Sequence, residues 1–322
     1  MPISESFRNS LYPQIPKIAS HYGTPFHIYD ETGIHQTCRQ LKEAFSGIND
    51  FREYFAVKAL PNPRILQIMR DEGFGFDCSS VTELLLSRKM GGRGDDIMFT
   101  SNNTSLREFQ IAEKDGGCLL NLDDITLLEK APRLPETICF RYNPGDLRSG
   151  NDIIGNPMEA KYGVSRDQIV DAYRLAKERG AKRFGIHTML ASNELNYSYM
   201  VQTTEMLLDL IEVISDELSI QFDFINIGGG LGIPYLPEDE PFDLAAMASG
   251  ITYQFKKFHK KHRYMPALYM ESGRYMTGPH GVLVVKAINR KSIYRNYIGV
   301  DACMTALMRP AMYGWEEQLH SP

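Results

Sequence analysis

The chain is short of cysteine, of long apolar runs and of surplus positive charge, and each shortage excludes a class of protein. Its five cysteines (Cys38, Cys78, Cys118, Cys139 and Cys303) are scattered along 322 residues, odd in number and never in CxxC spacing. That argues against a disulfide framework or a zinc ribbon, points to no metal site, and fits a reducing, cytoplasmic setting. No apolar run approaches the roughly 20 residues that span a bilayer, so no membrane is expected as a partner. Met1–Ser10 has no charged start leading into an apolar stretch, which argues against a secretory signal. With 35 basic against 40 acidic residues and a net charge of -5, the chain lacks the basic excess that a phosphate-backbone binder needs, and nucleic acid is not expected as a partner. Hydrophobic residues at 43% and charged residues at 23% are those of an ordinary globular protein, which excludes wholesale disorder.

What is present is a rhythm. Short apolar runs recur at Phe51–Ala59, Gly75–Ser79, Ile97–Ser101, Cys118–Leu122, Ile138–Tyr142, Arg183–Leu190, Phe224–Ile227 and Ala267–Glu271, giving eight candidate strands. Helix-like segments lie between them. Pro63–Glu72 begins with proline at the first turn, Ser105-Leu106-Arg107-Glu108 reads as a capping box, and Ser165–Arg179, Tyr199–Glu217 and Phe242–His262 carry apolar residues at helical spacing. Eight strands each followed by a crossover predict an α/β fold, a closed parallel (β/α)8 barrel. The alternative, an open doubly wound sheet, calls for a glycine fingerprint after its first strand, where Ala59-Leu60-Pro61-Asn62-Pro63 stands instead. Phe26–Tyr29 reads as a strand and Thr32–Phe45 as a helix; Gly281–Ala287, Ser292–Ile298 and Met304–Leu307 read as further strands. The expected organisation is therefore a barrel over residues 31–272 and a partial β domain built from residues 1–30 and 273–322.

In such barrels the catalytic groups sit at the C-terminal ends of the strands, and phosphate often binds after strands seven and eight. Strand seven ends in Gly228-Gly229-Gly230-Leu231-Gly232 and strand eight in Glu271-Ser272-Gly273-Arg274. Glycines let backbone N–H groups close on phosphate oxygens. A triple glycine alone is often only a flexible turn, but glycine turns at both expected phosphate loops point to an anion. Lys58 follows the apolar run of strand one. A lone lysine there is often a surface charge. Its functional reading is an amine whose pKa desolvation can lower, fit to form a Schiff base. A phosphate site facing an imine-forming lysine suggests pyridoxal phosphate, with Glu271 pairing to the pyridine nitrogen.

These residues are similar to a known family. Tyr54-Phe55-Ala56-Val57-Lys58, Gly75-Phe76-Asp77-Cys78-Ser79-Ser80 with Glu83, the two glycine turns with Tyr275, and Asp301-Ala302 with Met308-Arg309-Pro310-Ala311-Met312-Tyr313 stand in the order of fold type III pyridoxal-phosphate decarboxylases. The chain resembles that family over roughly residues 20–314, and within it the diaminopimelate decarboxylases. The resemblance implies pyridoxal 5'-phosphate held by Lys58, with Asp77 beside it. Gly229, Gly230, Gly273 and the Arg274 backbone would hold the phosphate with help from Ser192, and Gly228 would belong to the same cofactor site. Glu271 would bind the pyridine nitrogen, and Arg274, Arg309 and Tyr313 the amino-acid substrate. It implies decarboxylation of a diamino acid, meso-diaminopimelate to L-lysine, and a homodimer where the β domain is complete. The alternatives within the family are D-ornithine or D-lysine as substrate, and a non-catalytic or truncated inactive member. An alanine-racemase-like isomerase is disfavoured by Glu271, since that chemistry places arginine at the pyridine nitrogen. A non-catalytic pyridoxal-phosphate carrier is disfavoured by the strand-like runs after Gly278.

Three departures stand out. The family usually has His-x-His-x-Gly-Ser after strand six, the second histidine stacking on the cofactor ring; here the run is His187-Thr188-Met189-Leu190-Ala191-Ser192. In a strand, 187 and 189 share a face, so His187 is a candidate for the cofactor, and Met189 for a sulfur–ring contact. Ser272 replaces the proline of the usual Glu-Pro-Gly-Arg. The Cys-Glu motif that reaches the partner subunit's site is missing, and Cys303 is not that cysteine. The tail Trp315–Pro322 does not resemble the family, so a truncated member is expected, with weaker cofactor binding and low or absent activity.

Overall fold

β-branched and aromatic runs bounded by glycine, proline and asparagine give strands, and the computed structural model, which describes residues 3–150 and 155–313, shows where each begins and stops. The first, β1 (Phe26–Tyr29), lies outside the barrel. The next eight are β2 (Arg52–Ala56), β3 (Gly75–Cys78), β4 (Gly94–Phe99), β5 (Cys118–Leu122), β6 (Thr137–Arg141), β7 (Arg183–His187), β8 (Phe222–Asn226) and β9 (Ala267–Met270). They are parallel and close in sequence order, β9 returning to β2 through Arg52↔Tyr269 and Glu53↔Met270. All eight strands expected from the sequence are present, and the fold is the (β/α)8 barrel. Two runs end three residues earlier than expected. The first breaks into a 3-10 turn at Val57–Ala59, which takes Lys58 off the strand, and the sixth stops at His187.

The intervening helices start at caps written in the sequence. The Asn62 side chain accepts the N–H groups of Arg64 and Ile65, and Ser105–Glu108 and Ser165–Gln168 close capping boxes. The long helices Tyr197–Leu218 and Leu244–His262 follow β7 and β8. Among the described residues no helix is long and apolar enough to cross a membrane.

Strand alternation layers the barrel interior. Tyr54, Met98, Leu119, Cys139, Phe224 and Ala267 form a buried apolar cluster with Tyr269 against it. The Phe224 and Tyr269 rings stack at 4.3 Å, and Gly185 makes the room: a Cβ there would sit 2.0 Å from the Phe224 ring. Two residues further along the strands, on the same face, come Asp77, Asn121, Arg141, His187 and Asn226, with the buried Thr100 and Glu271 just past the ends of β4 and β9. The interior thus turns from apolar to polar and charged within one strand repeat, at the C-terminal end.

The chain divides into two compact units. The barrel unit comprises residues 38–232 and 242–276; the other comprises the described residues up to 37, 233–241 and those from 277 onward. In the second unit, β1 pairs antiparallel with β10 (Gly281–Val284), and β11 (Ala287–Ser292) with β12 (Asn296–Val300) as a hairpin. The buried His280 ring lies 2.9 Å from Ser4 Oγ and 2.8 Å from Thr37 Oγ1. Met304–Leu307 is not the strand expected from its sequence. Its backbone closes on itself in a 3-10 turn, Ala306 N–H to Cys303 C=O at 2.9 Å and Leu307 N–H to Met304 C=O at 3.1 Å, and a helix follows at Met308–Tyr313. Two N-terminal helices, Glu5–Ser10 and Ile15–Tyr22, have no counterpart among the elements expected from sequence. The tail Trp315–Pro322 lies outside the described residues.

Candidate active site

The polar layer gathers most of the candidate residues at one mouth. Lys58, in the turn after β2, places Nζ 3.7 Å from Asp77 Oδ2 and 3.4 Å from Ser79 Oγ. Asp77 is buried on β3, with Oδ1 unpartnered among the described residues. The negative charge of Asp77 raises the Lys58 pKa, outweighing what burial takes away. This corrects the expectation of an amine with a lowered pKa: over the range where Lys58 titrates Asp77 is ionised, and its carboxylate stabilises the ammonium more than desolvation penalises it. Asp77 itself is pushed up to about 8, first by burial and then by the charge of Glu271, with Lys58 acting the other way.

Glu271 stands immediately after β9 and is buried. Burial alone would raise its pKa, but His187, Lys58 and Asn226 together bring the carboxyl below its usual value, so it is ionised. Its Oε2 lies 3.2 Å from His187 Nε2, and its Oε1 accepts from Asn226 Nδ2 at 2.7 Å. The register His187↔Asn226 and Asn226↔Tyr269 puts His187 and Asn226 side by side on adjacent strands and Glu271 just past the end of the next one. His187 Nδ1 is buried without a hydrogen-bond partner among the described residues.

The two glycine turns meet beside Glu271. Gly230 has φ +102°, open to glycine, and a Cβ there would lie 2.5 Å from the Ala191 carbonyl oxygen; a Cβ on Gly229 would lie 2.2 Å from the Glu271 carbonyl oxygen. The loop after β7 pairs with this turn, Glu194 N–H to Gly230 C=O at 2.8 Å and Gly232 N–H to Glu194 C=O at 2.9 Å, which brings the segment bearing Ser192 alongside. Gly228 donates its N–H to Asn226 Oδ1 at 2.9 Å. Met189 lies beyond the end of β7, so strand alternation does not place it with His187; its sulfur accepts the Gly229 N–H at 3.3 Å. Gly273 packs its backbone on the Lys58 turn, where a Cβ would be 2.6 Å from Ala59 Cβ, and the half-buried Arg274 opens the short helix Arg274–Thr277.

Arg309 belongs to the other unit, exposed on its last helix, and the Tyr313 side chain lies outside the described residues. Sequence reasoning missed Asn226, Asp123 and Arg141. Asp123, just after β5, lies 3.5 Å from Arg141 at the end of β6, and that guanidinium covers the Tyr162 ring at 4.6 Å. The available signal was alternation: Asn226 and Arg141 sit two residues beyond the core positions Phe224 and Cys139.

The residues present fit pyridoxal phosphate. The mouth offers an amine at Lys58, an ionised carboxylate sunk in the barrel, and a backbone cradle too tight for side chains at Gly229 and Gly230. A cavity of about 190 Å³ lined by Phe109, Leu120 and Leu134 lies toward the N-terminal ends of β5 and β6 and contains none of these groups.

Comparison with known proteins bears on the same residues. The family model of the pyridoxal-binding domain of pyridoxal-dependent decarboxylases matches residues 31–278. Protein TabA of Pseudomonas amygdali pv. tabaci is 46% identical over 322 residues, all of this chain and 76% of that protein. A diaminopimelate decarboxylase of Methanothermobacter thermautotrophicus is 36% identical over 305 residues, 92% of this chain and 71% of the relative. The crystal structure of diaminopimelate decarboxylase from M. jannaschii in co-complex with L-lysine superposes with a TM-score of 0.83 at 25% identity, covering 92% of this chain and 72% of that one.

Proposed function

The chain belongs to the pyridoxal-dependent decarboxylases, and from that premise we propose that it removes the carboxylate at the D-centre of meso-diaminopimelate to give L-lysine. One observation carries the reading: an amine and an ionised, buried carboxylate share the polar layer of one barrel mouth, beside two glycine turns. Bound pyridoxal phosphate supplies an electron sink conjugated to the substrate nitrogen.

Each residue has a part in the proposal. Lys58 Nζ would be the amine that holds pyridoxal phosphate, with Asp77 3.7 Å away as the group facing it. The Glu271 carboxylate would hold a proton at the pyridine nitrogen, and Asn226 and His187 fix that carboxylate in place. Gly229, Gly230, Gly273, Ser192 and the Arg274 backbone would hold the phosphate, the Gly229 N–H by exchanging the Met189 sulfur for it, while Gly228, tied to Asn226, shapes the turn. Arg274 and Arg309 take the substrate carboxylates, helped by Tyr313, since a guanidinium can bind a carboxylate in bidentate fashion. The Cα–carboxylate bond breaks, CO2 leaves, and the same carbon takes up a proton. A homodimer belongs to the same proposal.

Decarboxylation of D-ornithine or D-lysine is a second reading. It is favoured by Met189, whose sulfur occupies the Gly229 N–H where the resemblance has a ring-stacking histidine. Incubation of the pyridoxal-phosphate-loaded protein with meso-diaminopimelate, D-ornithine and D-lysine, with CO2 and product amine both quantified, ranks the readings. Racemisation of alanine without CO2 release would overturn both.

A further inference from the structure

The barrel closes between the strand that leads to Lys58 and the strand that ends at Glu271, and that seam holds a residue with no part in the chemistry so far. Glu53, on β2, is fully buried. Its Oε1 accepts the backbone N–H of Ser272, the residue after Glu271. The Ser272 carbonyl in turn accepts from Ala56 N–H at 3.5 Å, and Gly273 presses on Ala56 and Ala59, either side of the Lys58 turn. Regular pairing between β2 and β9 ends at Glu53↔Met270. Beyond that point, the Glu53 side chain carries the pairing on toward the mouth.

A buried carboxyl is an expensive way to fill a barrel wall unless it is neutral and bonded. Burial pushes the Glu53 carboxyl well above its usual range, and the nearby charge of Glu271 adds to this against the pull of the Ser272 N–H. Oε2 of Glu53 and Oγ of Ser272 are buried without hydrogen-bond partners among the described residues, so the Ser272 N–H is the contact that holds this side chain.

We propose that Glu53 is a positioning residue that, through the Ser272 N–H, locks the segment bearing Glu271 onto the strand bearing Lys58 and so sets the distance between cofactor attachment and the pyridine-nitrogen partner. This rests on the pyridoxal-phosphate reading above. A leucine at 53 would leave the Ser272 N–H buried without its acceptor, whereas a glutamine would keep an acceptor oxygen on a side chain of the same shape. A proline at 272 would delete the donor.

The test is a double-mutant cycle with Glu53→Leu, Ser272→Pro and their combination, with Glu53→Gln as the conservative variant. Each is read by pyridoxal phosphate titration, by the absorbance maximum of the bound cofactor and by apoprotein melting. Loss of one partner from a buried hydrogen bond predicts about tenfold weaker cofactor binding in Glu53→Leu with a displaced absorbance maximum, and Glu53→Gln within about twofold of the parent. Ser272→Pro should resemble Glu53→Leu, and the double variant should lose no more than either. Should Glu53→Leu fail to fold, folded protein from the double variant supports the lock, and equal failure of the double overturns it. Losses that multiply independently, or Glu53→Leu behaving as Glu53→Gln, also overturn it. A parent protein that binds no pyridoxal phosphate would instead sink the cofactor reading, and the melting cycle would then decide the Glu53–Ser272 contact by itself.

Discussion

Asn226 donates from Nδ2 to Glu271 Oε1 at 2.7 Å while its own Oδ1 accepts the Gly228 N–H at 2.9 Å. One buried amide therefore fixes both the carboxylate and the start of the glycine turn. Asn226→Ala should cost about tenfold or more in kcat/KM, the scale of a lost hydrogen bond to a charged group. Asn226→Asp should cost more, because it turns a carboxylate oxygen toward Glu271 and raises that residue's pKa. Steady-state kinetics with the absorbance of the bound cofactor checks the order; a harmless Asn226→Asp contradicts this account of Glu271.

Lys58→Ala should abolish covalent capture of the cofactor. After borohydride reduction of the loaded protein, peptide mass mapping is expected to find the pyridoxyl group on Lys58 in the parent and on no lysine in the variant. An adduct that persists in the variant would assign the attachment elsewhere.

Glu271→Gln should keep most of the cofactor affinity and lose turnover by roughly a hundredfold or more, since an amide cannot hold the pyridine proton as charge develops. Unchanged turnover would remove Glu271 from the chemistry.

Asp77 gives a pH signature with a definite sign. Its carboxyl has a pKa of about 8 in the folded chain against an ordinary 3.8. Between those values the folded state binds more protons than the unfolded one, so the Asp77 contribution to stability declines as pH rises through that window. Glu271, held below its ordinary value, acts in the opposite sense: its contribution is present above 4.5 and is lost as pH falls through the folded value. Lys58, held above 10.5, contributes fully below that value and loses its contribution only as pH rises further, outside the Asp77 window. The melting temperature of Asp77→Asn apoprotein, relative to the parent, should therefore rise between about pH 5 and pH 8. A constant difference across that range would contradict the raised carboxyl.

The barrel was legible because its strands are separate apolar runs, each bounded by its own breakers. Lys58, Glu271 and the glycine turns were legible because each sits in a compact motif. Asn226, Arg141, Asp123 and Glu53 were not: each is one polar residue in or just after an apolar run whose partner belongs to a neighbouring strand and its loop, and for Glu53 only closure of the barrel brings that partner near. Glu53 joins Ser272 across the whole barrel sequence, and no local pattern announces that pair. Alternation misled at Met189 because it was carried past the true end of β7. Met304–Leu307 has strand-like composition, but its hydrogen bonds are satisfied within a local turn.

The most direct measurement is a single turnover with the pyridoxal-phosphate-loaded protein in excess over meso-diaminopimelate carrying carbon-13 at the D-centre carboxylate, so that even slow chemistry registers. The account predicts labelled CO2 and unlabelled L-lysine in equal amounts, with no labelled CO2 when the L-centre carboxylate carries the isotope. Bound cofactor with no CO2 from this substrate, or from D-ornithine or D-lysine tested alongside, would contradict it.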